Sequence, residues 1–139
     1  MDKVRMARQF IEAIPHARDL GLQLIELENG VAVITMPYDK KLIGNPATGV
    51  VHGGAVSALM DTCSGAAVMS HPDAPGSTAT IDLRIDYMRT ATPGDTITAT
   101  ATCYHMTRSV AFVRVTATDN DTDNPVATAT GTFTVERPR

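Results

Sequence analysis

NPATGVVHGGAVSALMDTCSG, residues 45–65, decides how the rest of the chain is read. Its first part, with Asn45, Pro46 and Gly49, has the residues of a loop. From Gly53 to Ser70 the composition turns to Ala, Val, Leu, Met and small residues. That length and apolar content predict a helix buried nearly all round. The glycines, alanines and serines within it let other backbone approach closely. Pro72, Pro75 and Gly76 end it. Asp61 is the only charged residue in this helix, and His52-Gly53-Gly54 stands where it begins.

Upstream, Val4, Ala7, Ile11 and Ile14 recur at helical spacing, so a short amphipathic helix is expected over residues 3–14, with Pro15 stopping the run. Residues 21–27 and 31–38 read as two strands joined by a turn at Glu28, Asn29 and Gly30. Downstream, residues 79–87, 96–103, 110–117 and 127–135 alternate apolar with polar, the period of half-buried strands. In the first of these, Ile81, Leu83, Ile85 and Tyr87 share one face and Thr80, Asp82, Arg84 and Asp86 the other. Short connections such as Pro93-Gly94-Asp95 suggest that the four form an antiparallel meander. One apolar helix and one sheet give an α+β layer pair in which the sheet curls around the helix. No repeat or linker divides residues 1–139, so one domain is expected.

The 139 residues are 43% hydrophobic and carry a formal charge of -3. So small a charge makes no case for nucleic acid or a membrane surface. No segment approaches the roughly 20 apolar residues that span a bilayer. The stretch Met1–Arg8 is polar, and the cytoplasm is the expected location. Cys63 and Cys103 lie far apart and outside any CxxC, which reads as buried reduced thiols, not a disulfide or a metal site. No metal-ligand cluster, G-x-S-x-G or phosphate-binding glycine pattern is present.

Two features point to chemistry. A helix start offers unpaired N–H groups and a partial positive charge, and glycine there allows close approach. The N–H of Gly53 or Gly54 could thus hold an oxyanion. The plainer alternative is that His52 caps the helix and the glycines permit a tight turn. Asp61 is a poor helix former whose burial is expensive, and burial would raise its pKa. Perturbed carboxylates gather at functional sites. The alternative is that Asp61 meets a solvent gap or pairs with a residue such as Arg84.

His52-Gly53-Gly54 followed by Asp61, with Asn45 and Gly49 upstream, resembles the signature of the PaaI-type (phenylacetyl-CoA thioesterase-like) hotdog thioesterases. The resemblance continues in TIDLRIDYMR (80–89), in Pro93-Gly94-Asp95 and in RSVAFV (108–113), and it covers most of the chain from Gly21 onward. It implies a hotdog fold: a curved antiparallel sheet of five to six strands around one central helix, 53–70, with a short N-terminal helix within 1–15. It implies hydrolysis of an acyl-CoA or aryl-CoA thioester, with no cofactor beyond the CoA of the substrate. Asp61 matches the catalytic carboxylate, acting as nucleophile or as general base. Gly53 matches the residue whose N–H binds the thioester oxygen, with Gly54 beside it, and His52 matches a histidine that positions the carbonyl or thiolate. Thr80 falls where relatives place a Ser or Thr near the water. Arg89 and Arg108 fall near positions that meet the phosphates of CoA. Relatives commonly carry an Asn or Gln where this chain has Pro46, and Asn45 stands one residue further away. The resemblance also implies a homodimer, usually within a dimer of dimers. A hotdog hydratase or dehydratase, and a non-catalytic acyl-CoA-binding module, are the competing readings. A thioester is already activated, so its hydrolysis needs only an oxyanion donor, a carboxylate and water in a dry pocket.

Overall fold

The computed structural model describes residues 3–73 and 75–137. Met1 and Asp2 of the expected N-terminal helix lie outside the described residues. Helix α1 spans Lys3–Ala13 and a short α2 spans Pro15–Asp19. Pro15 therefore does not simply end the first helix. It opens the second, where its fixed φ and missing N–H suit the first turn.

Strands β1 (Gln23–Glu28) and β2 (Val31–Met36) form a hairpin. Asn29 and Gly30 take φ of 47° and 85°, the left-handed pair that a two-residue turn between right-twisting strands requires. The segment read as a plain loop contains a 3-10 turn, Lys40–Leu42, and a small hairpin of β3 (Ile43–Asn45) and β4 (Val50–Val51). Helix α3 then runs Gly53–Ser70, followed by β5 (Thr80–Tyr87), β6 (Ile97–Met106), β7 (Val110–Thr118) and β8 (Ala127–Thr134).

The main sheet is antiparallel, in the order β1-β2-β6-β7-β8-β5, and it packs against α3. This is the hotdog arrangement. The expected four-strand meander is corrected in one respect: β6-β7-β8 is a meander, but β5 lies beyond β8 at the sheet's edge. β2 already occupies the free side of β6.

Inward positions of the sheet are filled largely by alanine and valine, among them Ala32, Ala99, Ala101, Val113 and Val115, all buried. These small side chains let the sheet curve closely over α3. From α3 the pairs Ala55/Val56, Leu59/Met60, Cys63/Ser64 and Ala67/Val68 are buried. The helix is thus covered along one side and not all round. The stripe between those pairs, Ser57/Ala58, Asp61/Thr62 and Gly65/Ala66, remains half-buried. The apolar content that suggested complete burial exceeds what this chain alone covers.

Candidate active site

At the start of α3, His52 is the N-cap: its Nδ1 accepts the N–H of Gly54 at 2.8 Å. A ring proton on the neutral imidazole therefore sits on Nε2. A Cβ on Gly54 would stand 2.9 Å from that Nδ1, so the cap itself needs a glycine there. The Gly54 N–H is thus committed to the cap. Among the described residues the Gly53 N–H has no hydrogen-bond partner. Gly44 also belongs to this arrangement. A Cβ on it would lie 2.8 Å from His52 Cα, so only glycine lets β3 pass this close to the histidine.

Two turns further along α3, Asp61 is half-buried and accepts a hydrogen bond from Thr80 Oγ1 at 2.6 Å. The backbone of β5 makes this contact possible. Thr80 pairs with Phe133 and Asp82 with Thr132, which leaves Ile81 as an extra residue in the strand. Such a bulge reverses the alternation on one side of itself. Thr80 therefore shares the inward face of Phe133, whereas strict period-two reading put it on the outer face with Asp82. Ile81 is left 56% exposed. Gly131 accommodates the close approach of β5, since a Cβ there would stand 2.7 Å from Asp82 O. Arg84 does not pair with Asp61; it lies 3.6 Å from Asp86 on the exposed outer face. Among the described residues no cation forms an ion pair with Asp61.

The two ends of α3 open on different clefts. Asp61 and Thr80 line an apolar cleft of about 390 Å³ between α1, α3 and the start of β5. His52, Gly53, Asn45 and Arg89 line another, of about 530 Å³. Asn45 Oδ1 accepts the N–H of Ala47 at 3.0 Å, so its side chain shapes the β3–β4 turn.

Arg89 departs from the expectation of a phosphate ligand. Its guanidinium makes two hydrogen bonds to Asp119, at 2.7 and 2.6 Å, and its remaining donors meet the carbonyls of Thr90 and Asn124. A phosphate would have to displace a fully desolvated carboxylate, since the Asp119 side chain has no exposed surface. Arg89 holds Asp119 well below the usual carboxylate range. Arg108, by contrast, is exposed at the turn between β6 and β7. That turn is tied to the end of β8 by Val135 N to Ser109 O at 2.9 Å. Glu136 in turn bridges to Gly76 and Ser77, on the rim of the Asp61 cleft.

Tyr87 and Ser57 were not singled out from the sequence. The Tyr87 hydroxyl lies 2.8 Å and Ser57 Oγ 3.2 Å from Gly53 O, and the two hydroxyls are hydrogen-bonded to each other; with one proton apiece, one of them donates to the carbonyl and the other to its neighbour. Together they fix the first peptide of the helix. Alternation places Tyr87 on the inward face but says nothing of where its hydroxyl lands. Both cysteines are free and buried. Burial pushes the Cys63 thiol up to about 12, which leaves no thiolate for nucleophilic work at neutral pH.

Residues 48–126 match the profile of the Thioesterase superfamily. The chain is 29% identical to the medium/long-chain acyl-CoA thioesterase YigI of Salmonella typhimurium, over 94% of this chain and 91% of that one. A Pseudomonas aeruginosa protein of known crystal structure is 37% identical and superposes with a TM-score of 0.83, covering 94% of this chain and 97% of its own. The Escherichia coli PaaI protein, from the phenylacetic acid degradation operon, is 26% identical with a TM-score of 0.83, covering 94% and 91%.

Proposed function

This chain belongs to the thioesterase superfamily, and we propose that it hydrolyses acyl-CoA thioesters to the free acid and CoA, with Asp61 as the catalytic carboxylate and the Gly53 N–H as oxyanion donor. The observation that carries this is the setting of Asp61. One carboxylate oxygen is fixed by Thr80, the other has no partner among the described residues, and the group opens on an apolar cleft. As general base, Asp61 takes a proton from water while the water oxygen attacks the thioester carbon. The carbonyl electrons move onto oxygen, and the Gly53 N–H stabilises that charge. Collapse of the intermediate breaks the C–S bond, and the departing sulfur recovers the proton from Asp61. As nucleophile, Asp61 would itself attack, and water would then hydrolyse the resulting anhydride. Thr80 holds the carboxylate in position for either route.

One chain does not bring these groups together. Gly53 and Asp61 are eight positions apart on α3, about 12 Å along the axis, and they face separate clefts. A homodimer resolves this by setting two α3 helices antiparallel, so that Gly53 of one protomer meets Asp61 of its partner. Two observations support this reading. The half-buried stripe of α3 is made of small residues that a second helix could approach closely. The β5 edge leaves Ile81 and Tyr87 56% and 49% exposed, an open edge that a second β5 could cover. A dimer of dimers is the further assembly this reading expects. Arg108 is the residue we assign to the phosphates of CoA.

The test is direct. Incubation with hexanoyl-, phenylacetyl- and benzoyl-CoA, with a thiol reagent to detect free CoA, should show turnover of at least one ester. Absence of thiol release from all of them, with longer-chain esters included, would overturn the assignment.

A further inference from the structure

The peptide between Gly53 and Gly54 is held from both sides. Its N–H, on Gly54, donates to His52 Nδ1 at 2.8 Å. Its carbonyl oxygen lies 2.8 Å from the Tyr87 hydroxyl and 3.2 Å from Ser57 Oγ. One planar group therefore joins a hydroxyl pair to an imidazole. Donation to a peptide carbonyl draws electrons towards its oxygen and makes the N–H of the same peptide a better donor, so the bonds in such a chain strengthen one another. Here that N–H faces Nδ1, which keeps the ring proton on Nε2. Two glycines in succession also leave a backbone free to rotate, and holding the peptide between them removes that freedom.

The surroundings fix both ends of this chain of contacts. A Cβ on Gly44 would stand 3.1 Å from Cδ2 of His52, and one on Gly54 would stand 3.2 Å from Cε1 of the same ring. The imidazole thus lies between two glycine backbones with little room to turn. Tyr87 pairs with Ala127 at the end of β5, and Met88 N donates to Val126 O at 2.8 Å. The Arg89–Asp119 pair ties down the next residue. A Cβ on Gly53 would stand 3.6 Å from the Tyr87 ring, so the ring rests on the first turn of α3. Among the described residues the Gly53 N–H and His52 Nε2 have no hydrogen-bond partner.

We propose that Tyr87 is a positioning residue for the carbonyl-binding end of the site. With Ser57 in support, its hydroxyl acts through the Gly53–Gly54 peptide to fix the tautomer of His52 and the direction of the Gly53 N–H. The two hydroxyls share one acceptor, so loss of either leaves the other to take the carbonyl. All of these groups lie in one chain, and none needs an exposed surface. The proposal rests on the hydrolysis reading given above and adds to it the residues that hold the oxyanion donor and the neighbouring imidazole in place.

The experiment compares Tyr87→Phe, Ser57→Ala and the double variant with the wild type, on an acyl-CoA ester that the wild type hydrolyses. Each single change should lower kcat by no more than about twofold, because the remaining hydroxyl takes the carbonyl, and the two together should lower it at least about tenfold with KM little changed. The second readout is NMR of the His52 ring nitrogens at alkaline pH. A neutral ring in one tautomer gives two widely separated nitrogen shifts, and mixing of tautomers draws them together. In the double variant they should converge. A folded double variant that loses no more kcat than the product of the single losses, or whose loss lies in KM, overturns the proposal. Should the double variant not fold, Tyr87→Phe alone should show a smaller convergence, and unchanged shifts overturn the proposal. A wild type that hydrolyses no ester counts against the hydrolysis reading. The ring-nitrogen shifts of the double variant then decide the role of Tyr87 by themselves, and unchanged shifts overturn it.

Discussion

Thr80 Oγ1 donates to Asp61 Oδ1 at 2.6 Å across the gap between β5 and α3, and the extra residue Ile81 is what turns Thr80 towards the helix. Asp61→Asn preserves size and removes the basic oxygen. Turnover of an acyl-CoA should fall at least roughly a hundredfold with KM little changed, as is usual on losing a positioned acid–base group. Thr80→Val should cost about tenfold, the scale of one hydrogen bond to a charged acceptor, and Thr80→Ser should restore most of it. An Asp61→Asn variant retaining more than a tenth of wild-type kcat would remove Asp61 from the mechanism.

The arginines separate by the same kind of measurement. Arg108→Ala should raise KM for CoA esters several-fold and leave kcat nearly unchanged, because a phosphate contact is equally present in ground and transition states. N-acetylcysteamine thioesters lack the phosphates and should be unaffected. If both substrate classes suffer equally, Arg108 does not meet a phosphate.

Arg89 should behave as a structural residue through Asp119. The Asp119 carboxyl titrates lower in the folded protein than in the unfolded chain, where an aspartate titrates near about 3.9. Its stabilising effect is therefore fully present above that pH and fades as pH falls towards the depressed folded value. Asp119→Asn should lower Tm at pH 7 by roughly 5 °C or more. The gap from wild type should narrow steadily as the melting series is taken from about pH 5 down to pH 3. A gap that is constant with pH would show that the pair contributes packing and not charge.

Much of this architecture was legible in residue order, for reasons that also mark where reading stops. The change of composition at Gly53 and the proline at 72 bound α3 at the residues observed. Asn29-Gly30 set the first hairpin because few residues tolerate its backbone angles. The bulge at Ile81 was not legible, because Thr80 to Tyr87 alternates without a break and only the register against β8 shows the extra residue. The partner of Arg89 was hidden for a similar reason: Asp119 is 30 residues away and joins it only once β5, β7 and β8 are assembled. Apolar content predicted cover for every side of α3 but could not say whether the same chain supplies it.

That last ambiguity is open to a complementation experiment. If Gly53 of one chain serves Asp61 of another, two dead variants should rescue each other. Asp61→Ala removes the carboxylate. Gly53→Pro deletes the N–H while suiting the first turn of a helix. Each alone should be inactive. Unfolded together in equal amounts and refolded, they pair at random, and about half the dimers are mixed under twofold symmetry. In each mixed dimer one site receives both defects and the other receives an intact Gly53 and an intact Asp61. Activity should therefore return to about a quarter of the wild-type value at the same total protein concentration. Differential tagging of the two variants checks that mixed dimers form. Mixed dimers without activity would place both groups of each site in one chain, and the separation of the two clefts along α3 would then need a conformational change to close it.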